Sequence, residues 1–309
     1  MRNTNLPAAI TKAASKQTYY TIRFLMDRDR MQDAFRAYAY FRWVDDQLDS
    51  NSGTQQEKCA LLNRQHDLLE ACYSGESPSV MNPEEQMLLD LVGNDKEEES
   101  GLQTYLRDMM AVMSFDVERR GRMISQAELS QYSLLLSNAI TEYMFYFIGH
   151  QDPPPKSATR YQAVSAAHVV HMLRDMVDDI ALGYINIPGD VLEGGHISLD
   201  DLHSRSFRKW VFERAQLAQR YFEDGRKYIA KVKSFRCRLA GFTYLARFEW
   251  MLRAIEREQY CLRPEYPERK RMRVVLWMAW YVFTSLMNIP WMKYKPVELA
   301  TLTDQCEER

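Results

Sequence analysis

Apolar side chains recur at intervals of three and four residues along most of the chain, which is the spacing of one face of an α-helix. Residues from about 8 to 26, 30 to 50, 159 to 182 and 235 to 261 show this spacing most clearly. No segment alternates apolar and polar positions around hairpin turns, as antiparallel strands would. The pattern therefore predicts an all-α fold.

Helix-capping residues mark several ends of the predicted helices. Asn82 precedes Pro83, and this order is typical of a helix start. Ser125 and Glu128 form a capping-box pair, and Gly75 follows an amphipathic run as a C-cap. The longest proline-rich loop, residues 149–156, has an ordinary connection length. We therefore expect one domain over residues 1–309, with a core at about 10–290 and a C-terminal tail at 293–309.

Residues 274–292 form the most apolar segment, but only 274–283 are free of polar side chains. That run is too short for a membrane-spanning helix. The segment predicts either a buried core helix or an interfacial helix in peripheral contact with a membrane. The N-terminus lacks the apolar core of a signal peptide, which predicts a cytoplasmic protein. If residues 274–292 form an interfacial helix, that protein would also be membrane-associated. A net charge of −2 indicates no nucleic-acid partner.

Two acidic pairs interrupt otherwise apolar helices. Asp45 and Asp49 are four residues apart, as are Asp175 and Asp179, so each pair lies on one helix face. Two like charges at this spacing repel each other, and a hard divalent cation such as Mg²⁺ reverses the sign of that interaction. Each pair also has an arginine nearby, a residue type that binds phosphate oxygens. The pattern therefore indicates a site for a diphosphate held through magnesium.

A diphosphate bound in this way is a good leaving group, because cations stabilise the charge that develops on it. The carbocation that remains needs a dry pocket with aromatic walls, since water would quench it. The chain has 18 Tyr, 13 Phe and 6 Trp, which is enough to line such a pocket. The stretch FDVERRGR (115–122) is typical of a solvated helix end or of a basic rim to the site.

Three segments carry a family resemblance: KQTYYTIRFLMDRDRMQDAFRAYAYFRWVDDQLD, HMLRDMVDDIALGYINIP and RFEWMLRAIEREQY. With them the chain resembles the squalene/phytoene synthase family over roughly residues 10–290. The resemblance implies one all-α helical bundle around a central apolar cavity. It implies catalytic, Mg²⁺-binding roles for Asp45, Asp49, Asp175 and Asp179. It implies substrate contacts for Thr18, Tyr38, Arg42, Asp46 and Arg174.

Other positions depart from the family pattern. His168 and His171 stand where the family commonly has Gln and Asn. We expect them to bind substrate, with polar packing and a dinuclear metal site as alternatives. Further departures are Leu135, Asn138, Thr141, Tyr184, Asn186 and Phe248. The resemblance links these positions to the acceptor substrate and to the later rearrangement more than to ionisation of the donor.

The resemblance implies a Mg²⁺-dependent prenyltransferase that ionises one allylic diphosphate and joins it to a second. The product and the oligomeric state stay open, and NADPH use is allowed but not indicated. One alternative is a class I terpene cyclase or a prenyltransferase with a non-prenyl acceptor. Others are a di-metal helical hydrolase or oxidase and a non-catalytic assembly factor.

Overall fold

The computed structural model describes residues 6–49, 53–76, 81–152 and 154–289. These residues form twelve α-helices and one short 3-10 helix, and they contain no β-strand. The predicted all-α class is confirmed. The predicted tail at 293–309 lies outside the described residues.

The described residues group into two compact units. The first comprises the described residues within 6–118 and 138–152, and the second comprises those within 119–137 and 154–289. Each unit therefore draws on two stretches of the chain. A single domain over the whole chain stays a prediction.

Helices α1 to α7 begin in the first half of the chain. Their bounds are α1 (Leu6–Ala14), α2 (Lys16–Leu25), α3 (Met31–Asp49), α4 (Gln55–Ser74), α5 (Pro83–Asn94), α6 (Gly101–Arg119) and α7 (Gln126–Phe147). Within the first unit α3 packs against α1, α2 and α5. Ala34, Ala37, Phe41, Val44 and Leu48 are buried at helical spacing on α3 and give it a continuous apolar face.

The predicted helix over residues 8–26 is in fact two helices, α1 and α2. Ser15 separates them with an extended backbone, and its hydroxyl accepts a hydrogen bond from the Thr18 amide at 3.1 Å. This bond satisfies one of the amides that a helix N-terminus leaves open, so a serine stabilises the break. The other predicted caps are present: Asn82 caps α5, and Gly75 ends α4 in the left-handed conformation.

Helices α8 to α12 belong to the second unit. Their bounds are α8 (Gln162–Ala181), α9 (Gly189–Gly194), α10 (Arg205–Ile229), α11 (Phe235–Arg257) and α12 (Met272–Leu286), with the 3-10 helix at Pro267–Lys270. Helix α8 packs against α10 and α11, and α11 also packs against α12. Helix α10 approaches α8 closely at Gly225, where a Cβ atom would lie 2.7 Å from the backbone of Ala163.

No helix among the described residues is both long and apolar enough to cross a membrane.

Candidate active site: two aspartate clusters

The last two turns of α3 carry Arg42, Asp45, Asp46 and Asp49, here called the α3 cluster. Asp45 is half-buried beside the apolar face of the helix, whereas Asp46 and Asp49 are exposed. Arg42 forms an ion pair with Asp45 at 3.0 Å and a second, shorter one with Asp46. The predicted arginine and carboxylates are therefore in contact, and the guanidinium lies between two of the three.

Several like charges surround the carboxylate of Asp45. Burial and the neighbouring Asp49 raise the pKa of Asp45 to about 6, against the opposing effect of Arg42. Asp46 and Asp116 add to the rise. Asp116 comes from α6 and was missed in the sequence, because a single acidic residue near a helix end carries no spacing signal. A carboxylate whose ionised form is destabilised by its neighbours gains from a bound cation.

Two other predicted contact residues have different surroundings. The hydrogen bond with Asp46 is the main cause of the raised pKa of the Arg42 guanidinium. Tyr38, one turn earlier on α3, lies close enough to make a small further contribution. The hydroxyl of Thr18 donates to Ser15 Oγ at 2.9 Å. Thr18 therefore takes part in the cap of α2, and its role in substrate binding stays a prediction.

His168, His171, Arg174, Asp175 and Asp179 lie along α8 and are here called the α8 cluster. Arg174 donates two hydrogen bonds to the Asp175 carboxylate, at 2.6 and 2.5 Å. His171 Nε2 lies 2.8 Å from Asp175 Oδ2. Asp175 is thus held from two directions by cationic or hydrogen-bonding side chains.

The two aspartates of this cluster have opposite electrostatics. Burial alone would raise the pKa of Asp175, but the hydrogen bonds from Arg174 and His171 hold it well below its usual range. Burial and the charge of Asp175 raise the pKa of Asp179 to about 6. Asp175 is therefore ionised at any ordinary pH, and Asp179 changes its charge in the mildly acidic range.

A buried amide holds Asp179 in place. Asn186 is 2% exposed, and its Nδ2 donates to Asp179 Oδ2 at 2.7 Å. Its Oδ1 accepts from the guanidinium of Arg119, which lies over the rings of Tyr132 and Tyr184 at 4.9 and 5.0 Å. Since the guanidinium can only donate, it fixes which end of the amide faces Asp179.

Arg119 was not predicted to have this role. The stretch 115–122 suggested a basic rim or a solvated helix end, yet Arg119 is only 6% exposed. Its acceptor, Asn186, is 67 residues away in sequence, so no local pattern could reveal the contact.

His168 is buried next to Tyr132, with their rings 5.3 Å apart. Neither ring nitrogen has a hydrogen-bond partner. Burial, together with His171, Arg214 and Arg119, lowers the pKa of His168 to about 3, so the ring is neutral. Within the described part of the chain this histidine lacks the protein hydrogen bonds that polar packing would supply, and its role in substrate binding stays a prediction.

The donor sets of both clusters fit a divalent cation bound together with a phosphate. Among the described residues, no group of three or more His, Cys, Asp or Glu side chains could hold a metal ion. Mg²⁺ does not require such a group, because it commonly takes one or two carboxylates and completes its shell with water and substrate phosphates. Burial and, after it, neighbouring carboxylates raise the pKa of Asp45 and of Asp179, so a bound cation would favour the ionised form of each. In the first unit Asp45 and Asp49 would hold such a cation, and in the second unit Asp175 and Asp179 would hold another.

Comparison with known proteins identifies the family. The family model described as squalene/phytoene synthase matches residues 11–277. The presqualene diphosphate synthase of Zymomonas mobilis is 25% identical over 202 residues, which cover 64% of this chain and 65% of that protein. The presqualene diphosphate synthase of Rhodopseudomonas palustris is 23% identical over 195 residues, which cover 63% and 66%. The chain thus spans just under two thirds of the length of these curated relatives.

Solved structures share the fold. A dehydrosqualene synthase in complex with a ligand aligns with a TM-score of 0.72 at 16% identity, covering 92% of this chain and 96% of that one. A squalene synthase from Alicyclobacillus acidocaldarius aligns with a TM-score of 0.67 at 19% identity, covering 84% and 95%. Catalysis that depends on divalent metal ions is general among the enzymes of the matching family. The predicted resemblance is confirmed: the chain belongs to the squalene/phytoene synthase family, whose members are prenyl-transferring enzymes.

Proposed function

We propose that the chain is a Mg²⁺-dependent prenyltransferase that condenses two allylic prenyl diphosphates head to head. One observation carries the proposal: α3 and α8 each bear two aspartates one turn apart, next to an arginine in contact with one of them. Each pair takes divalent cations that carry a prenyl diphosphate, and Arg42 and Arg174 stabilise its phosphate oxygens. Family membership supports this assignment.

The reaction needs one substrate to ionise and the other to act as the acceptor. Loss of diphosphate from C1 of the donor leaves an allylic cation, and the C2–C3 double bond of the acceptor attacks that carbon. Closing the three-membered ring releases a proton from the donor C1. One diphosphate and one proton leave, and the cyclopropyl-carbinyl product keeps the second diphosphate.

We propose that this cyclopropyl-carbinyl diphosphate, of the presqualene diphosphate type, is the product. The names of the curated relatives support it. The departures from the family pattern at Tyr184 and Phe248 support it as well, because the resemblance links these positions to the rearrangement that would follow. A reaction that ends at this stage consumes no NADPH.

The test is incubation of the purified chain with farnesyl or geranylgeranyl diphosphate, with Mg²⁺ or with a chelator, followed by mass spectrometry. The expected product contains two prenyl chains and one diphosphate and forms only with the metal. A product with one prenyl chain would identify a cyclase instead. A hydrocarbon without phosphate would contradict the proposed end point, and absence of diphosphate release from either substrate would contradict prenyl transfer.

Substitutions in the α3 and α8 clusters test whether their aspartates are needed for turnover. Asp45→Asn and Asp175→Asn should each reduce turnover by more than about a hundredfold, because charge stabilisation of a leaving group is of that size. Asp178→Asn is the matched control, since Asp178 is exposed on the same helix next to Asp179. Equal activity of all three variants would exclude the proposed roles.

A further inference from the structure

Helix α12 has an exposed apolar face. Leu276, Trp280, Phe283 and Met287 are between 51% and 63% exposed and recur at helical spacing. The opposite face of the helix is buried, because α12 packs against α11. An apolar stripe of this length on the free side of a helix is typical of a surface that meets another apolar phase.

A basic run stands at the N-terminal end of this face. Arg269, Lys270, Arg271 and Arg273 are all exposed. Within the part of the chain that the structure describes, no carboxylate forms an ion pair with any of the four. Helix α12 itself contains no acidic residue. The positive charge of this run is therefore available to an anionic partner.

We propose that residues 269–287 form a docking surface for an anionic lipid bilayer. The basic run contacts lipid phosphates, and the face with Trp280 and Phe283 enters the boundary between headgroups and acyl chains. At 1.5 Å per residue the helix is about 22 Å long, shorter than the roughly 30 Å of bilayer hydrocarbon. The helix consequently lies in the plane of the interface and does not cross it.

Charge favours a lipid surface over a second copy of the chain. A two-fold symmetric contact places the same patch on both partners. Because α12 contains no acidic residue, the run Arg269–Lys270–Arg271 of either copy would then meet no carboxylate on its partner's α12, in whichever direction the two helices run. An anionic bilayer complements the same run. This inference concerns binding to a surface and does not depend on the proposed reaction.

The test is flotation of the full chain with vesicles of phosphatidylcholine and phosphatidylglycerol, and with vesicles of phosphatidylcholine alone. We expect binding to the anionic vesicles and its loss at high salt. The double variant Trp280→Ser, Phe283→Ser should bind at least tenfold more weakly, because two apolar side chains no longer leave water. Phe235→Ser is the matched control, since Phe235 is 57% exposed at the start of α11, and it should bind like the unmodified chain.

A second arm tests the charge. The triple variant Arg269→Gln, Lys270→Gln, Arg271→Gln should lose about fivefold in partitioning per charge, equivalent to about 1 kcal/mol each. Lys231→Gln, Lys233→Gln removes exposed charges elsewhere in the same unit and should change little. Circular dichroism verifies that every variant is folded.

Three outcomes would overturn the proposal: no binding to anionic vesicles, equal binding to both kinds of vesicle, or unchanged binding of the triple variant. A dimer that forms without lipid and is abolished by Trp280→Ser, Phe283→Ser would also overturn it, because a second copy would then cover the face.

Discussion

At the residue scale, identical carboxylates acquire different charge states from their neighbours. Asp175 stays ionised because Arg174 and His171 hold its charge, whereas burial and like charges raise the pKa of Asp45 and Asp179 to about 6. The aspartate positions could be predicted from spacing alone. Their charge states could not, because Asp116 and Arg119 act on them from other helices.

The amide of Asn186 gives the first prediction. In Asn186→Asp the side chain has no donor for Asp179 and places a second negative charge beside it. Affinity for Mg²⁺ together with inorganic diphosphate should fall about tenfold to a hundredfold, the usual effect of losing a group that orients a metal ligand. Isothermal titration calorimetry measures this without turnover.

Asn63→Asp is the control for that experiment, because Asn63 is exposed on α4 and far in sequence from α8. Unchanged affinity in Asn186→Asp would mean that the amide does not position Asp179.

The buried Glu256 predicts a pH dependence of stability. Burial raises its pKa from 4.5 to about 7, against a hydrogen bond from Gln219. The folded state therefore keeps a proton that the unfolded state loses above pH 4.5, so this group lowers stability as pH rises from about 4.5 to 7. Glu256→Gln should remove that slope and raise the free energy of unfolding by about 3 kcal/mol at pH 8.

Urea denaturation at pH 4.5 and pH 8 measures this difference. Glu213→Gln, an exposed change on α10, should show no such pH dependence. A gain for Glu256→Gln that is equal at both pH values would contradict the assigned cause.

At the element scale, helix ends follow local rules and could mostly be predicted. The Asn82 cap and the Gly75 terminus are at the expected positions, because capping depends on a few adjacent residues. The break at Ser15 was missed, since alanines on its N-terminal side favour continuation and serine is also tolerated inside helices. The short helix α9 was not predicted, because Gly189, Gly194 and Gly195 at its ends obscure the helical pattern.

The contact between α10 and α8 predicts a specific sensitivity to a methyl group. In Gly225→Ala the new Cβ would lie 2.7 Å from the Ala163 backbone, so the helices must separate. The cost of overpacking, about 1–3 kcal/mol or more, should exceed the gain of about 1 kcal/mol from helix propensity. Thermal unfolding should show a lower Tm.

Gly93→Ala is the matched control on α5, where a Cβ atom would meet nothing within 4 Å. It should leave stability unchanged or raise it by up to about 1 kcal/mol. Equal effects of the two substitutions would contradict a close contact between α8 and α10 at Gly225.

At the scale of the whole molecule, the all-α class could be predicted because helical periodicity is a local signal that many segments repeat. The packing of particular helices could not, since it depends on pairs such as Gly225 and Ala163 that are far apart in sequence. The family was recognisable because its motifs place aspartates and an arginine at fixed, short spacings along the sequence. The buried position of Arg119 was not, because its contacts come from a segment that departs from the family pattern.

Binding of ligand to both clusters should stabilise the whole chain. At a hundred times its dissociation constant, a ligand that binds only the folded state adds about 2.7 kcal/mol, or about 5 °C in Tm for a chain of this size. We expect this shift with farnesyl thiodiphosphate plus Mg²⁺. Asp45→Asn and Asp175→Asn should each reduce it, and a chelator should abolish it. A shift that persists in the presence of the chelator would show that the diphosphate binds without metal.

The hydrogen bond between Arg119 and Asn186 also limits which substitutions at these two positions can be accepted in evolution. Replacing Asn186 first strips a buried cation of an acceptor, and replacing Arg119 first frees the amide to rotate away from Asp179. Either single step carries a penalty that a matched change at the other position reduces. Relatives that differ at one of these positions should therefore differ at the other, so the two sites are inherited together although 67 residues separate them.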